Sequence, residues 1–367
     1  MKQEIYRPRN RFISRCVSRL VYPFVRIFIP TSDLSNIKTN EIKKILITEY
    51  HCIGDILIII PALRLIKSSF PDAELTLITN TAVSELAAVL KIADKIFSFD
   101  FPWTGKTDKI KYWDVLGAVK MFRKEDFDLG IDFKGDIRNL MFLWGTGSKF
   151  RLGFDGTGGS YLLTHSLPFP FMTHQRDRAL QLLRTIGLNQ KVDNFPINIP
   201  NGIFNKKKFI VLHPGANHKA RRWSKTNWIK LVELLEDSHK IALVKTDDSV
   251  KIINALKEIY PDIFIITGSL VNFAKWLQHQ KMLIGMDSMA VHLAGILGIP
   301  SLAIFGRQNP ELTKPKFKGS TFINPDHSCN HKNNHWRLCR NCTNSVTPES
   351  VFDAINDLLL HYTLKHD

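Results

Sequence analysis

The chain has 367 residues, 44% of them hydrophobic and 23% charged, with 50 Lys and Arg against 34 Asp and Glu and a net charge of +16. This composition excludes a disordered chain, a collagen-like fibre and a disulfide-dense scaffold, and the length allows about two domains. The charge points to a polyanionic partner, and composition leaves nucleic acid, an anionic membrane and a phosphorylated substrate all open.

Residues 1–30 hold seven Lys/Arg and one acid. The apolar run Leu20–Ile29 is broken by Pro23 and Arg26 and has no small-residue cleavage site after it, so it is not a signal sequence. At ten residues it is too short to span a bilayer. Phe12, Ile13, Cys16, Val17, Leu20, Val21, Phe24, Val25 and Phe28 recur at the spacing of one helical face, with Arg11, Arg15 and Arg19 four apart beside them. This predicts a basic amphipathic arm over residues 1–40, lying in a membrane interface. There each cation contributes about 1 kcal/mol near anionic lipid. The competing reading is a helix docked on the protein's own body, and Pro23 predicts a kink or stop. Five cysteines, an odd number without a signal peptide, fit a reducing cytoplasm.

From Lys43 onward, strands and helices alternate. Strands are expected at Lys44–Thr48, Leu75–Thr79 and Asp128–Asp132, with helices at Leu57–Ser69 and Val83–Leu90. Residues 191–208, with two prolines, four asparagines and a lysine run, read as a linker between domains at 41–190 and 209–347. The pattern then restarts. Strands are expected at Phe209–His213, Ile241–Lys245, Ile263–Ile266, Met282–Gly285 and Ser301–Phe305, with helices at Thr226–Leu235, Val250–Ile259 and from Ser288. Residues 348–367 read as a closing helix, with Pro348 and Glu349 in its first turn. The expectation is α/β, with two Rossmann-like domains on parallel sheets and ligands at the C-terminal strand edges. Neither half carries G-x-G-x-x-G or a Walker A motif, which argues against dinucleotide dehydrogenases and P-loop NTPases.

Three loops carry candidate chemistry. In Glu49-Tyr-His-Cys-Ile-Gly54-Asp55, Gly54 permits close approach and Asp55 could act as a general base or simply as an N-cap. His213-Pro-Gly-Ala-Asn217-His-Lys219-Ala-Arg221-Arg222-Trp223 reads as a phosphate cradle or a solvated loop. In Gly285-Met-Asp287-Ser288-Met289-Ala-Val-His292, Ser288 opens a helix whose amides and dipole favour a pyrophosphate, or merely caps it. Asp247-Asp248 could accept hydrogen bonds from a ribose or cap the next helix. Cys329, Cys339 and Cys342, with His327, His331 and His335 nearby, are zinc-like residue types, weighed against reduced structural thiols.

Taken together, these segments resemble glycosyltransferase family 9, the ADP-heptose:lipopolysaccharide heptosyltransferases, from about Lys43 to Leu359. The resemblance rests on KILITEYHCIGDILIIIPALRLIKSSFPDAELTLIT, DLGIDFKGDIRN, RLGF at Arg151–Phe154, HQRDRALQLLRTIGL, HPGANHKARRWSKTNW and GMDSMAVHLAGILGIPSLAIFG, in the family's order. It implies a GT-B architecture, two Rossmann-like domains facing across a cleft, with the closing helix packing back towards the first domain. It further implies inverting, metal-independent transfer of heptose from ADP-heptose to the inner core of lipopolysaccharide, at the inner face of the cytoplasmic membrane. On the matching positions Asp55 is the base, and Arg221, Asp248, Asp287, Ser288, Met289 and His292 contact the donor. Gly54, Arg138 and His174 match acceptor-side motifs. Lys245-Thr246 stands where the family usually has small residues before the acidic donor contact. No cofactor is implied, and the cysteine stretch resembles one that recurs without a catalytic assignment, which favours reduced thiols over zinc. The alternatives are a transferase of another nucleotide sugar, a non-catalytic scaffold and a nucleic-acid-binding protein. The last lacks an aromatic-basic reader motif, and nucleic acid is not expected as a partner.

Overall fold

The apolar runs form strands because each is buried on both faces. The computed structural model describes residues 8–28, 39–104, 111–191, 195–200, 202, 208–326, 329 and 339–363. The chain divides into two units, 1–193 and 194–367. In the first, in chain order, are α1 (Pro8–Phe28), β1 (Lys44–Thr48), α2 (Ile53–Ser69), β2 (Glu74–Thr79), α3 (Thr81–Val89) and β3 (Lys95–Ser98). These lead into α4 (Tyr112–Arg123), β4 (Leu129–Asp132), α5 (Ile137–Gly145), β5 (Phe150–Asp155), β6 (His165–Pro168) and α6 (Gln175–Arg184). The strands make one parallel six-stranded sheet in the order β3-β2-β1-β4-β5-β6, with Ile45 of β1 between Leu75 and Leu129. The order reverses between β1 and β4. α2 is buried along most of its length, from Ile56 to Ile66, and packs against α6.

α1 continues through Pro23 to Phe28, so the proline is neither its stop nor its end. Its buried side is at Ser18, whose Oγ accepts the Gly159 N–H at 3.0 Å, and the helix packs on the turn at Ser160–Leu162. Phe12, Leu20, Phe24 and Ile27 stand in solvent, each at least 70% exposed.

The second unit contains β7 (Ile210–His213), α7 (Lys225–Leu235), β8 (Ile241–Val244), α8 (Val250–Ile259), β9 (Phe264–Ile266), α9 (Leu270–Leu277) and β10 (Met282–Met286). It closes with α10 (Met289–Ile296), β11 (Ser301–Ile304), α11 (Pro310–Thr313), β12 (Ser320–Ile323), α12 (Arg340–Asn344) and α13 (Pro348–Thr363). Its parallel sheet runs β12-β11-β10-β7-β8-β9, the same winding as the first, reversing between β7 and β10. The core gathers Trp228, Leu231 and Leu235 of α7 with Leu212, Leu243 and Ile284 of the strands, and each such side chain contributes roughly 1.5–3 kcal/mol on burial.

Two segments near the expected boundaries are anchored within the second unit. Ile197 N–H donates to Ile296 O and Ile199 N–H to Gln278 Oε1, so part of the 191–208 linker is already laid on the second unit. α13 packs against α7, with Val351 and Ile355 in the second unit's core. Much of its apolar face is thus used within that unit. His327, His331 and His335 lie outside the described residues.

Candidate functional site

In the first unit, the β1–α2 and β4–α5 connections flank the reversal of strand order, the position where open α/β sheets bind ligands. The residue at the N-cap of α2 is Cys52, without a side-chain cap bond. Asp55 is the third helical residue, so the capping alternative falls away. Its carboxylate is used elsewhere: Oδ2 meets Lys134 Nζ at 2.6 Å and Oδ1 accepts from Gln175 Nε2 at 3.1 Å. The same Nζ lies 3.9 Å from Oε1 of Glu49, which is wholly buried. His51 Nδ1 is also 3.9 Å from that oxygen, and neither Glu49 oxygen has a hydrogen-bond donor among the described residues.

Asp132, at the end of β4, shapes the loop that presents Lys134. Its Oδ1 accepts the N–H groups of Lys134 and Gly135, and its Oδ2 accepts from Thr48 Oγ1 and Asn139 Nδ2. Gly135 has φ +67, and a Cβ there would stand 2.7 Å from Phe154 O, so only glycine closes this turn.

The charges follow from these contacts. Burial pushes Glu49 up to about 8, with Lys134 only partly offsetting it. Burial acts on Asp55 in the same direction, but the Lys134 charge and hydrogen bond outweigh it and hold Asp55 at about 2. Burial and Lys134 take His51 down to about 4. Near neutral pH the cluster therefore holds one ionised carboxylate, a cation bound to it, and a second carboxyl that is mainly protonated.

The remaining first-unit candidates are placed differently. Gly54 is the second residue of α2, with no positive φ. Arg138 forks onto Asp136 through Nε and Nη2, at 2.9 and 2.8 Å. His174 caps α6, its Nδ1 accepting the Arg176 N–H. The contact to Asp55 comes from the next residue, Gln175. Lys134, Glu49 and Gln175 all lie in or beside the motifs already singled out, but sequence spacing alone does not assign them.

In the second unit, the loops after β7 and β10 flank the corresponding reversal. Lys219–Arg221 forms a 3-10 turn, from which Arg221 Nη1 reaches both the carbonyl and Oδ2 of Asp287 at 3.4 Å. Ser288 stands at the N-cap of α10, the position the sequence assigns it, without a side-chain cap bond. Its buried Oγ, Arg221 Nε and His213 Nδ1 have no hydrogen-bond partner among the described residues, the condition expected of a polar site awaiting a ligand. Met289 is the first residue of α10 and half-buried, and His292 lies one turn on, buried. Asp248 accepts from Thr246 Oγ1 at 2.5 Å and lies 3.5 Å from Arg222 Nη2. It does not cap α8, whose N-cap is Ser249. A Cβ on Gly215 would stand 2.5 Å from Thr246 Oγ1, so this glycine lets the two loops meet.

Comparisons with known proteins point to one family and one fold. The model of "Glycosyltransferase family 9 (heptosyltransferase)" matches residues 116–342. Lipopolysaccharide heptosyltransferase 3 of Escherichia coli is 20% identical over 289 residues, covering 72% of this chain and 83% of that protein. Among solved structures, the E. coli heptosyltransferase WaaC with ADP superposes with a TM-score of 0.71 at 16% identity, over 86% of this chain and 99% of that one. The family 9 glycosyl transferase of Veillonella parvula reaches 0.73 at 15% identity, over 87% and 98%. With the double Rossmann winding and the family match over more than half its length, this chain belongs to glycosyltransferase family 9, the heptosyltransferases.

Proposed function

We propose that the enzyme transfers heptose from ADP-heptose to a lipid-linked acceptor of the lipopolysaccharide inner core, with inversion and without a metal at the reacting carbon. The observation that carries the reading is Asp55. It is an ionised carboxylate at a sheet reversal, held by a cation and an amide, on a chain whose relatives are lipopolysaccharide heptosyltransferases. Asp55 takes the proton of the acceptor hydroxyl, whose oxygen bonds to C1 of the sugar as the bond from C1 to the diphosphate breaks and ADP leaves. A carboxylate held at about 2 is a weak base. Lys134 moves off Asp55 as the acceptor binds, and Glu49, 3.9 Å from the same Nζ, takes the cation as it gives up its own proton to solvent. Gln175 orients the base, with Gly54, Arg138 and His174 on the acceptor side. Arg221 and the amides of Ser288 and Met289 neutralise the departing diphosphate, the largest expected catalytic contribution. Asp287, Asp248 and His292 complete the donor contacts.

A second reading, transfer of another sugar, has one observation in its favour: Thr246 fills the space beside Gly215. Purified protein given ADP-heptose and truncated lipopolysaccharides is expected to release ADP only when the acceptor is present. Turnover with a different nucleotide sugar and none with ADP-heptose would overturn the donor assignment.

Among the described residues no helix is long and apolar enough to cross a membrane. We propose instead that α1 lies on the anionic inner face of the cytoplasmic membrane, placing Phe12, Leu20, Phe24 and Ile27 among the acyl chains. Removing residues 1–28 is expected to abolish co-sedimentation with vesicles containing anionic lipid, and salt to weaken that of the intact chain. Unchanged partitioning would show that the helix only docks on its own unit.

A further inference from the structure

Three cysteines sit together in the second unit. Cys329 follows β12, Cys339 precedes α12 and Cys342 lies within it. The three Sγ atoms lie within 4.8 Å of one another, and none is in a disulfide. Cys339 and Cys342 are buried, while Cys329 is half-buried. A disulfide would use two of the three sulfurs and leave the third stranded. A tetrahedral ion with metal–sulfur bonds of ~2.3 Å holds its sulfurs ~3.8 Å apart, so small side-chain rotations close the observed group onto a common centre. Cys329 and Cys342 also line a cavity of about 160 Å³ with Gly306, Arg307, Gln308 and Asn324, which leaves room for a fourth donor.

We propose that Cys329, Cys339 and Cys342 bind one thiophilic divalent cation, zinc by the softness of the ligand set, as a structural centre. Binding deprotonates the three thiols, whose protons go to solvent. This replaces the reading of the cluster as reduced structural thiols. The centre ties the segment after β12 to α12, and α12 in turn supports the loop carrying Arg221. Thr343 Oγ1 donates to Ala220 O at 2.8 Å, and Asn227 Nδ2 to Asn344 O at 3.1 Å. Trp223 Nε1 donates to Val346 O at 2.9 Å. A Cβ on Gly306 would collide with Thr343 Oγ1, so the fit between α12 and the end of β11 is close. The ion sits beyond that helix and takes no part in the reaction. Its effect on the donor loop rests on the assignment of Arg221 as a donor contact.

Metal analysis of the intact purified chain is expected to find about one equivalent of zinc. Cobalt(II) added to metal-stripped protein is expected to give a sulfur-to-cobalt charge-transfer band that titrates to the same stoichiometry. Iron at one equivalent in place of zinc also supports the thiolate site. Protein that is metal-free as isolated and gives no cobalt band overturns it, as does a disulfide between any two of the three cysteines found by mass spectrometry. Cys342→Ser removes the band if the chain folds. If it does not fold, displacing the ion from the unmutated chain with an organomercurial serves instead, with released zinc as the readout. ADP affinity, measured alongside, is expected to weaken several-fold on metal loss. Metal bound but ADP affinity unchanged would keep the centre and overturn its coupling to Arg221.

Discussion

Asp55→Asn is expected to lower the transfer rate by about 10²–10⁴-fold, the range of general-base contributions, while ADP-sugar binding stays within a few-fold. The amide keeps the size of the side chain and a partner for Gln175, but cannot take the acceptor proton. Initial rates of ADP release with acceptor, set beside calorimetric ADP affinity, separate the two effects. Near-normal turnover would remove Asp55 from the reaction. Because Lys134 holds Asp55 at about 2, the free enzyme keeps the base ionised through all practical assay pH. An acidic limb in the kcat/KM profile above pH 5 would therefore belong to another group.

Lys134→Met is expected to destabilise the first unit by roughly 1–3 kcal/mol near neutral pH, because it leaves the half-buried Asp55 carboxylate without its cation. The sign follows from the carboxyls it faces. Asp55 is depressed from 3.8 to about 2, so its contribution is fully present above the unfolded value and fades as pH falls towards 2. Glu49 is raised from 4.5 to about 8. Between those values the native state holds a proton that the unfolded chain has lost, so the contribution of Glu49 falls as pH rises through that window. Without Lys134 both carboxyls move upward. The loss should be largest at pH 7–8 and shrink towards pH 4, as read from urea midpoints across that range. A pH-independent difference between the two proteins would show that the lysine acts through packing alone.

The interior strands were legible because a strand covered on both faces must be apolar: KILIT, IVLH and MLIGM announce themselves. Of the four edge strands only β9 was read, as Ile263–Ile266. KIFS at β3 and STFI at β12 are only partly buried, and HSLP at β6 ends in a proline, so none carries the continuous apolar signal. FRLGFD at β5 hides behind Arg151, a buried cation whose guanidinium donates to Leu162 O and Ser148 O. Composition cannot anticipate that local satisfaction. Among the candidate site residues, Asp55, Arg221 and Asp287 stand out from their loops in the sequence. Lys134 and Glu49 were not, since they meet only because β1 and β4 are neighbours in the sheet although some 80 residues apart in the chain. His174 uses its Nδ1 to cap α6, and the hydrogen bond to Asp55 comes from the next residue, Gln175.

The short route between α1 and the Asp55–Lys134 pair has a consequence for acceptor choice under the proposed reaction. Ser18 holds Gly159, the N–H groups of Gly156 and Thr157 donate to Gly135 O, and Gly135 is bonded to Lys134, the partner of Asp55. A helix resting in the bilayer would thus fix the height of the base above the lipid plane, like the stop on a depth gauge. Of hydroxyls with the same chemistry along a growing lipid-anchored chain, only those at that height could be reached, and selection would come from elevation as much as from the shape of the sugar.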